Sequence, residues 1–188
     1  MFKTIFKRVF ALISQPLKEW EAIAEEKQEH DKFLSNFLYP LIGFVVFAVF
    51  IGALITRKDF NAEMALKLTV RSIVSSFGGF FLGSYILNEV WSNVFKKEKD
   101  MKMCQYFVGY SSVLMFVLSI VLALFPEFFF LQIFLLYTVY IVWEGAEIYM
   151  HIEDNRRMSF VVYASAIIVL TPVVIEIVLG FLMPGLRV

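Results

Sequence analysis

Five long apolar segments decide what this chain can fold into. They cover residues 37–55, 69–95, 103–125, 128–150 and 159–183 of the 188-residue sequence, and each is close to the roughly 20 residues that a membrane-crossing helix needs. Lipid offers no hydrogen-bond partner to an exposed peptide group, and these runs are continuous rather than alternating, so helices are favoured over the strands of a barrel. The sequence therefore predicts an all-α, polytopic membrane protein with five transmembrane helices.

The composition agrees with a membrane location. Hydrophobic residues make up 60% of the chain, whereas a soluble domain has about 45–50% apolar residues. The 17 Lys and Arg residues balance the 17 Asp and Glu residues, so no nucleic-acid partner is expected. The lone cysteine, Cys104, excludes both an intrachain disulfide and a cysteine metal cluster.

The distribution of Lys and Arg along the chain predicts how the spans are oriented. Twelve of these residues lie before the first segment or in the connections between segments two and three and between segments four and five. Four, namely Arg57, Lys58, Lys67 and Arg187, fall on the opposite side. Positive charge is enriched on the cytoplasmic side of membrane proteins. We therefore expect the N-terminus in the cytoplasm and the C-terminus outside it.

Residues 1–34 are predicted to form a cytoplasmic part ahead of a transmembrane domain at 35–188. Apolar residues recur at helical spacing near the start of the chain, and Lys3, Lys7 and Arg8 fall away from that face. Such a basic amphipathic helix is typical of an interfacial segment that contacts anionic lipid headgroups. Pro16 begins a second, more polar helix, in which Trp20 contributes to a modest apolar face. This region either lies on the membrane surface or docks a cytosolic partner.

Two charged residues near the outer ends of segments two and five are expected to pair. Arg71 and Glu176 lie at matching depth in the predicted bundle, and an ionised group inside a membrane usually faces the bundle and finds a partner. In segment two, Ser75, Gly79 and Gly83 follow one another at intervals of four residues. This spacing of small residues predicts a seam of close helix packing, within the bundle or between subunits.

Four further polar residues gather near the cytoplasmic ends of segments two and four: Glu89, Glu144, Glu147 and His151. Three interpretations are open. The acids extend toward water or toward the nearby Lys96, Lys97 and Arg156, they form a proton or cation site in which one carboxyl is held protonated, or, with weaker support, they bind a metal. The Glu-x-x-His spacing of di-iron bundles is absent, so no metal is expected.

No catalytic residue is predicted. Ser111 with His151 comes nearest to a nucleophile and its base, but a serine that hydrogen-bonds within its own helix is the commoner arrangement. The stretch EEKQEH at 25–30 lacks the His-Glu-x-x-His spacing of a metalloprotease, and the sequence has no glycine-rich phosphate loop. We expect no cofactor.

Two short motifs connect the chain to a known family. A proline-led QPLKEWEAIAEE at 15–26 precedes the five segments, and VGYSSVLMF at 108–116 opens the third. In these motifs and in its closely spaced helices, nearly the whole chain resembles the Yip family of five-span membrane proteins, in its bacterial branch. The resemblance implies an integral, non-catalytic membrane protein with a cytoplasmic N-terminus, in a bacterial cytoplasmic membrane.

The resemblance does not extend to the role of the eukaryotic relatives, which act in vesicle trafficking and contact Rab-type GTPases. Their Asp-Leu-Tyr-Gly-Pro motif is missing, and the nearest stretch, NFLYP at 36–40, lacks the Asp and the Gly. We expect membrane organisation through helix–helix contacts with a second copy or with other membrane proteins. The alternative is a small transporter or ion-conducting protein that uses Glu89, Glu144 and Glu147, and an intramembrane enzyme comes third.

Overall fold

The computed structural model describes residues 2–26, 29–55 and 62–182, apart from the side chain of Phe2. Within these ranges the regular structure is entirely helical. Four helices are long and apolar enough to cross a membrane, and a bent pair of shorter helices gives a fifth span when the pair is counted as one. The prediction of an all-α, polytopic membrane protein is therefore confirmed.

Two helices precede the spans, which we number 1 to 5 in chain order. The two are α1 (Phe2–Ser14) and α2 (Pro16–Glu25). Span 1 runs through α3 (His30–Phe33), a π-helical stretch (Leu34–Leu38) and α4 (Tyr39–Ile55), and span 2 is α5 (Ala62–Asn93). Span 3 joins α6 (Met101–Ser111) and α7 (Val113–Leu124). Span 4 begins as a 3-10 helix (Pro126–Leu136) and continues as α8 (Tyr137–Ile148), and span 5 is α9 (Asp154–Leu182).

The helices extend beyond the apolar segments from which they were predicted. Span 1 begins at residue 30 instead of 37, span 2 at residue 62 instead of 69, and span 5 at residue 154 instead of 159. The additional turns carry polar residues such as Asp31, Lys67 and Asn155. Hydropathy detects the part of a helix that lies in hydrocarbon, so it does not reveal turns that continue beyond it.

Span 1 changes its hydrogen-bond pattern next to a proline. The π-helical stretch Leu34–Leu38 ends two residues before Pro40. Proline lacks an N–H, and its ring crowds the carbonyl of the residue four positions earlier, which is Asn36 inside this stretch. A π-turn is one of the local adjustments that lets a helix continue past such a position. Span 1 therefore stays one continuous helix from His30 to Ile55.

Span 3 bends by 41° between α6 and α7. Ser112 lies at the bend, and its Oγ donates a hydrogen bond of 2.7 Å to the carbonyl oxygen of Val108. Serine hydroxyls that bond to the carbonyl four residues earlier often bend helices. The bend lets the two halves pack differently, since α6 contacts span 2 and α7 contacts span 1.

Span 2 packs against both span 1 and span 5, while α8 of span 4 packs against span 5. The two N-terminal helices join this bundle, because α1 contacts α7 and α2 contacts α8. The largest fully buried side chains come from the N-terminal helices as well as from the spans: Trp20, Phe33, Phe107, Tyr110 and Phe160. Residues of α1 and α2 thus belong to the same hydrophobic core as the transmembrane helices.

Candidate functional site

Trp20 packs α2 against span 4. Its side chain is fully buried, and its indole N–H donates a 2.9 Å hydrogen bond to the carbonyl oxygen of Ile141. The ring stacks on Phe107, with centroids 5.5 Å apart. A side chain at Gly145 would collide with this indole, because a Cβ there would lie 2.6 Å from Cε2 of Trp20. The glycine between Glu144 and Glu147 therefore leaves the space that the tryptophan occupies.

Arg8 connects α1 to α2 and to span 3. Its guanidinium pairs with Glu19 at 3.1 Å and with Glu26 at 2.5 Å, and it donates to the hydroxyl of Tyr110 at 3.1 Å. Burial works against the charge, but Tyr110 and Glu26 outweigh it and raise the pKa of Arg8 above its usual value. The sequence predicts that Arg8 falls away from the apolar face, but its side chain points into the structure because these acceptors lie there.

The predicted apolar face of α1 divides into two parts. Ile5 and Val9 are buried against the bundle, together with Leu12. Phe6 and Phe10 remain 59% and 73% exposed. They share the outer surface of α1 with the exposed Lys3 and Lys7, and we call Lys3, Phe6, Lys7 and Phe10 the outer face of α1. Mixed aromatic and lysine side chains of this kind are typical of helices at a lipid headgroup layer.

The two acids of span 4 meet Arg157. One guanidinium nitrogen forms an ion pair with the exposed carboxylate of Glu147, and another lies 4.0 Å from the buried carboxylate of Glu144. Arg157 also donates to the carbonyl oxygen of Trp143 at 3.0 Å, and its guanidinium stacks 4.3 Å from the centre of that indole ring. Span 4 and the first turn of span 5 are thereby joined by a buried cation.

The other two residues of the expected acidic group lie elsewhere. Glu89 forms an ion pair with Lys99 and accepts a 3.2 Å hydrogen bond from Asn93. His151 is exposed and follows the end of α8 at Ile148. Its backbone has a φ of 50°, so it does not continue the helical face that carries Glu144 and Glu147. Among the described residues, no three His, Cys, Asp or Glu side chains are arranged to hold a metal ion.

At the other end of the bundle, the structure brings Arg71 and Glu176 together. Nη2 of Arg71 lies 3.5 Å from Oε2 of Glu176. Ser75 donates to Oε1 of the same carboxylate at 3.2 Å. These contacts connect span 2 to span 5.

The small residues of span 2 face span 5 within the same chain. A Cβ at Gly79 would lie 2.6 Å from Cγ of Pro172, and a Cβ at Gly83 would lie 3.8 Å from Oγ1 of Thr171. Ser75, one turn before Gly79, reaches the carbonyl oxygen of Pro172 at 3.5 Å. The seam of small residues is therefore a contact between two spans of the same chain.

The serine considered as a nucleophile has no base beside it in the described part of the chain. Ser111 Oγ is buried without a hydrogen-bond partner among the described residues, and His151 is exposed in the connection after span 4. This geometry offers no activated nucleophile.

Two residues that organise the structure were not expected from the sequence. Hydropathy places Arg157 in the connection between the fourth and fifth apolar segments, because the fifth begins at residue 159. Its helical spacing with Phe160, Val161 and Ala164, all buried, is the signal that places it on the inner face of α9. Gly145 carried no such signal, since its role depends on Trp20, which lies 125 positions earlier in the chain.

The two motifs that carry the family resemblance touch each other. Trp20 of the first motif meets the ring of Tyr110 in the second edge-on, with centroids 6.1 Å apart. Glu19 and Glu26 of the first motif share Arg8 with the same tyrosine. The motifs are therefore the two halves of one contact, which holds the N-terminal helices on the bundle.

Comparison with known proteins identifies the family of the chain. The chain matches the Yip1 domain over residues 10–175, a range that begins within α1 and ends within span 5. No curated protein and no solved structure matches the chain. Since the matched range covers most of the 188 residues, the chain belongs to the Yip1 domain family of multi-pass membrane proteins.

Proposed function

We propose that this protein organises the membrane without catalysing a reaction, through contacts of its helices with lipid and with other membrane proteins. Membership of the Yip1 family supports a non-catalytic role in the membrane. The observation that carries the finer proposal is the attachment of α1 and α2 to the bundle by Trp20 and Arg8. Because of this attachment, the outer face of α1 is presented at a fixed place instead of on a free tail.

In this proposal the outer face of α1 binds anionic lipid headgroups. Each lysine near an anionic surface contributes about 1 kcal/mol, and the phenylalanines add apolar burial in the headgroup layer. The excess of Lys and Arg on the N-terminal side favours a cytoplasmic N-terminus and an external C-terminus. We place the protein in a bacterial cytoplasmic membrane on the strength of the sequence resemblance.

Contacts with a second copy or with other membrane proteins would use surfaces other than the glycine seam of span 2, which is already covered by span 5. Span 5 offers such a surface, because large apolar side chains along it are exposed in the single chain: Val162, Leu170, Val174, Ile177 and Phe181. Transport through an acidic cluster is not favoured, since Arg157 holds Glu144 and Glu147 while Lys99 pairs with Glu89.

Spin-labelled lipids test the proposed role of α1. The protein is reconstituted in bilayers, and the immobilised fraction of labelled phosphatidylglycerol is compared with that of labelled phosphatidylcholine. We expect wild-type protein to prefer the anionic lipid and Lys3→Gln/Lys7→Gln to lose most of this preference. The matched control, Lys97→Gln/Lys102→Gln, removes the same charge from the connection between spans 2 and 3 and from the first turn of span 3. An equal loss in both variants would mean that general charge, not the outer face of α1, selects the lipid.

A further inference from the structure

A cavity of about 450 Å³ lies between the spans, in the half of the bundle that contains the Arg71–Glu176 pair. Small-molecule sites in proteins occupy about 300–1,000 Å³, so this volume is sufficient for a ligand. All five spans contribute to its wall, which is mostly apolar. The wall also carries polar side chains, among them Arg71, Gln132 and Glu176 together with serines of spans 2 and 3.

The ion pair is incompletely closed and faces the cavity. Its N–O distance of 3.5 Å is long for a charged hydrogen bond, and the two side chains are 27% and 47% exposed. Within the described part of the chain, the guanidinium uses one of its five N–H donors on a protein partner. Charged side chains inside a membrane protein that face a cavity commonly mark a ligand or ion site.

Some of the residues that line the cavity are exposed on the side of the bundle. No residue of the 3-10 segment Pro126–Leu136 is buried, and this segment packs on α7 and α8. Gln132 of this segment and Val173 of span 5 both line the cavity and are both exposed. These exposed lining residues point to an entry for a molecule of the bilayer between the first half of span 4 and the second half of span 5.

The depth of the ion pair suits a lipid headgroup. Span 2 has 32 residues, about 48 Å of helix, and so extends past a hydrocarbon core of about 30 Å on both sides. Arg71 lies nine residues from the start of this helix at Ala62, or roughly 13 Å along it. That position is close to the boundary of the hydrocarbon core, where phosphate and glycerol groups are within reach of a long side chain.

From these observations we propose that the cavity binds one aminophospholipid, with Arg71 on the phosphate, Glu176 on the primary ammonium and the apolar wall around the first part of an acyl chain. Arginine pairs well with phosphate, and a primary ammonium has three N–H donors for a carboxylate. A trimethylammonium head lacks those donors, and a purely anionic head leaves Glu176 without a cation. The cavity therefore selects phosphatidylethanolamine over phosphatidylcholine and phosphatidylglycerol.

The test uses delipidated, detergent-solubilised full-length protein. Short-chain phosphatidylethanolamine, phosphatidylcholine and phosphatidylglycerol are titrated separately, and binding is followed by native mass spectrometry and by the shift of the thermal unfolding midpoint. Phosphatidylethanolamine is expected to bind wild-type protein about tenfold more tightly than the other two lipids, because only its ammonium group donates a charged hydrogen bond to Glu176. Equal binding of the three lipids would overturn the proposal, whatever the variants do.

Variants then locate the site. Arg71→Gln should weaken phosphatidylethanolamine binding about tenfold, and Glu176→Gln should shift the preference toward phosphatidylglycerol, since the arginine remains. The matched control Glu63→Gln/Lys67→Gln removes an ion pair of the same helix whose two residues do not line the cavity. If the Arg71 and Glu176 variants bind lipid like this control, the proposed site is wrong. If glycerophosphoethanolamine raises the thermal unfolding midpoint as much as the whole lipid does, the apolar wall has no role in binding.

Discussion

Single residues determine where polar groups can be placed in this bundle. The stretch WEGAE at 143–147 contains two acids at the end of an apolar helix. In the structure its tryptophan, its glycine and both acids each contact a residue of another helix. Arg157 meets both acids and stacks on Trp143, and Gly145 leaves room for Trp20. The acids could be recognised from the sequence as unusual. Their cation could not, because its position depends on how α8 and α9 are paired in space.

Arg157→Gln is expected to destabilise the protein by about 3 kcal/mol, because it leaves the buried carboxylate of Glu144 without its cation. The neighbouring Arg156→Gln removes the same charge from an exposed position and should cost less than about 1 kcal/mol. Chemical unfolding of the purified variants in detergent measures both. If Arg157→Gln is as stable as Arg156→Gln, Arg157 does not hold the two spans together.

At the scale of helices, the periodicity of the sequence predicted where helices form, but it did not predict which helices pack against each other. The apolar segments located the membrane-crossing helices, and the four-residue spacing of small residues predicted a packing seam on span 2. The bend of span 3 and the π-helical stretch of span 1 were not predicted, since they come from Ser112 and Pro40 acting on the local backbone. The contact of α2 with α8 was also not predictable, because hydropathy gives the apolar face of a helix but not the helix that covers it.

Gly79→Ala tests the seam between spans 2 and 5. Its new methyl group would meet the rigid ring of Pro172 at 2.6 Å, so the helices must separate, at a cost of about 1–3 kcal/mol. Gly43→Ala is the matched control, because no neighbouring atom lies within 4 Å of a Cβ there and alanine favours a helix over glycine. Thermal unfolding of both variants should show a loss for Gly79→Ala alone. Similar midpoints would mean that the seam tolerates extra volume.

Over its described residues the molecule is a bundle of four membrane-crossing helices, or five when the bent pair of span 3 is counted as one, with two N-terminal helices built into its core. The helical, multi-pass character of the chain followed from hydropathy, which reports the solvent that surrounds each segment. The attachment of α1 and α2 was not predicted because these helices are amphipathic and polar, and such helices are compatible with a lipid surface, a partner or the bundle itself. The distinction depends on tertiary contacts such as the one between Trp20 and Ile141.

Single-cysteine labelling tests the proposed orientation. The native Cys104 is fully buried and should react little, so Lys3→Cys and Glu63→Cys each introduce one thiol at an exposed position, on the sides that the Lys and Arg distribution predicts to be cytoplasmic and external. With a membrane-impermeant maleimide on intact cells, Glu63→Cys should be labelled at once and Lys3→Cys only after permeabilisation. The opposite pattern would place the N-terminus outside the cytoplasm.

The most direct test of the central claim is hydrogen exchange of α1 and α2 in lipid nanodiscs. We expect slow exchange in wild-type protein and markedly faster exchange in both helices of Trp20→Ala, which loses a buried side chain worth about 3–5 kcal/mol and its bond to Ile141. Phe10→Ala, which removes an exposed aromatic ring, should leave the exchange of α2 unchanged. Exchange that is the same in Trp20→Ala and in wild-type protein would show that lipid alone protects these helices, and would contradict their attachment to the bundle.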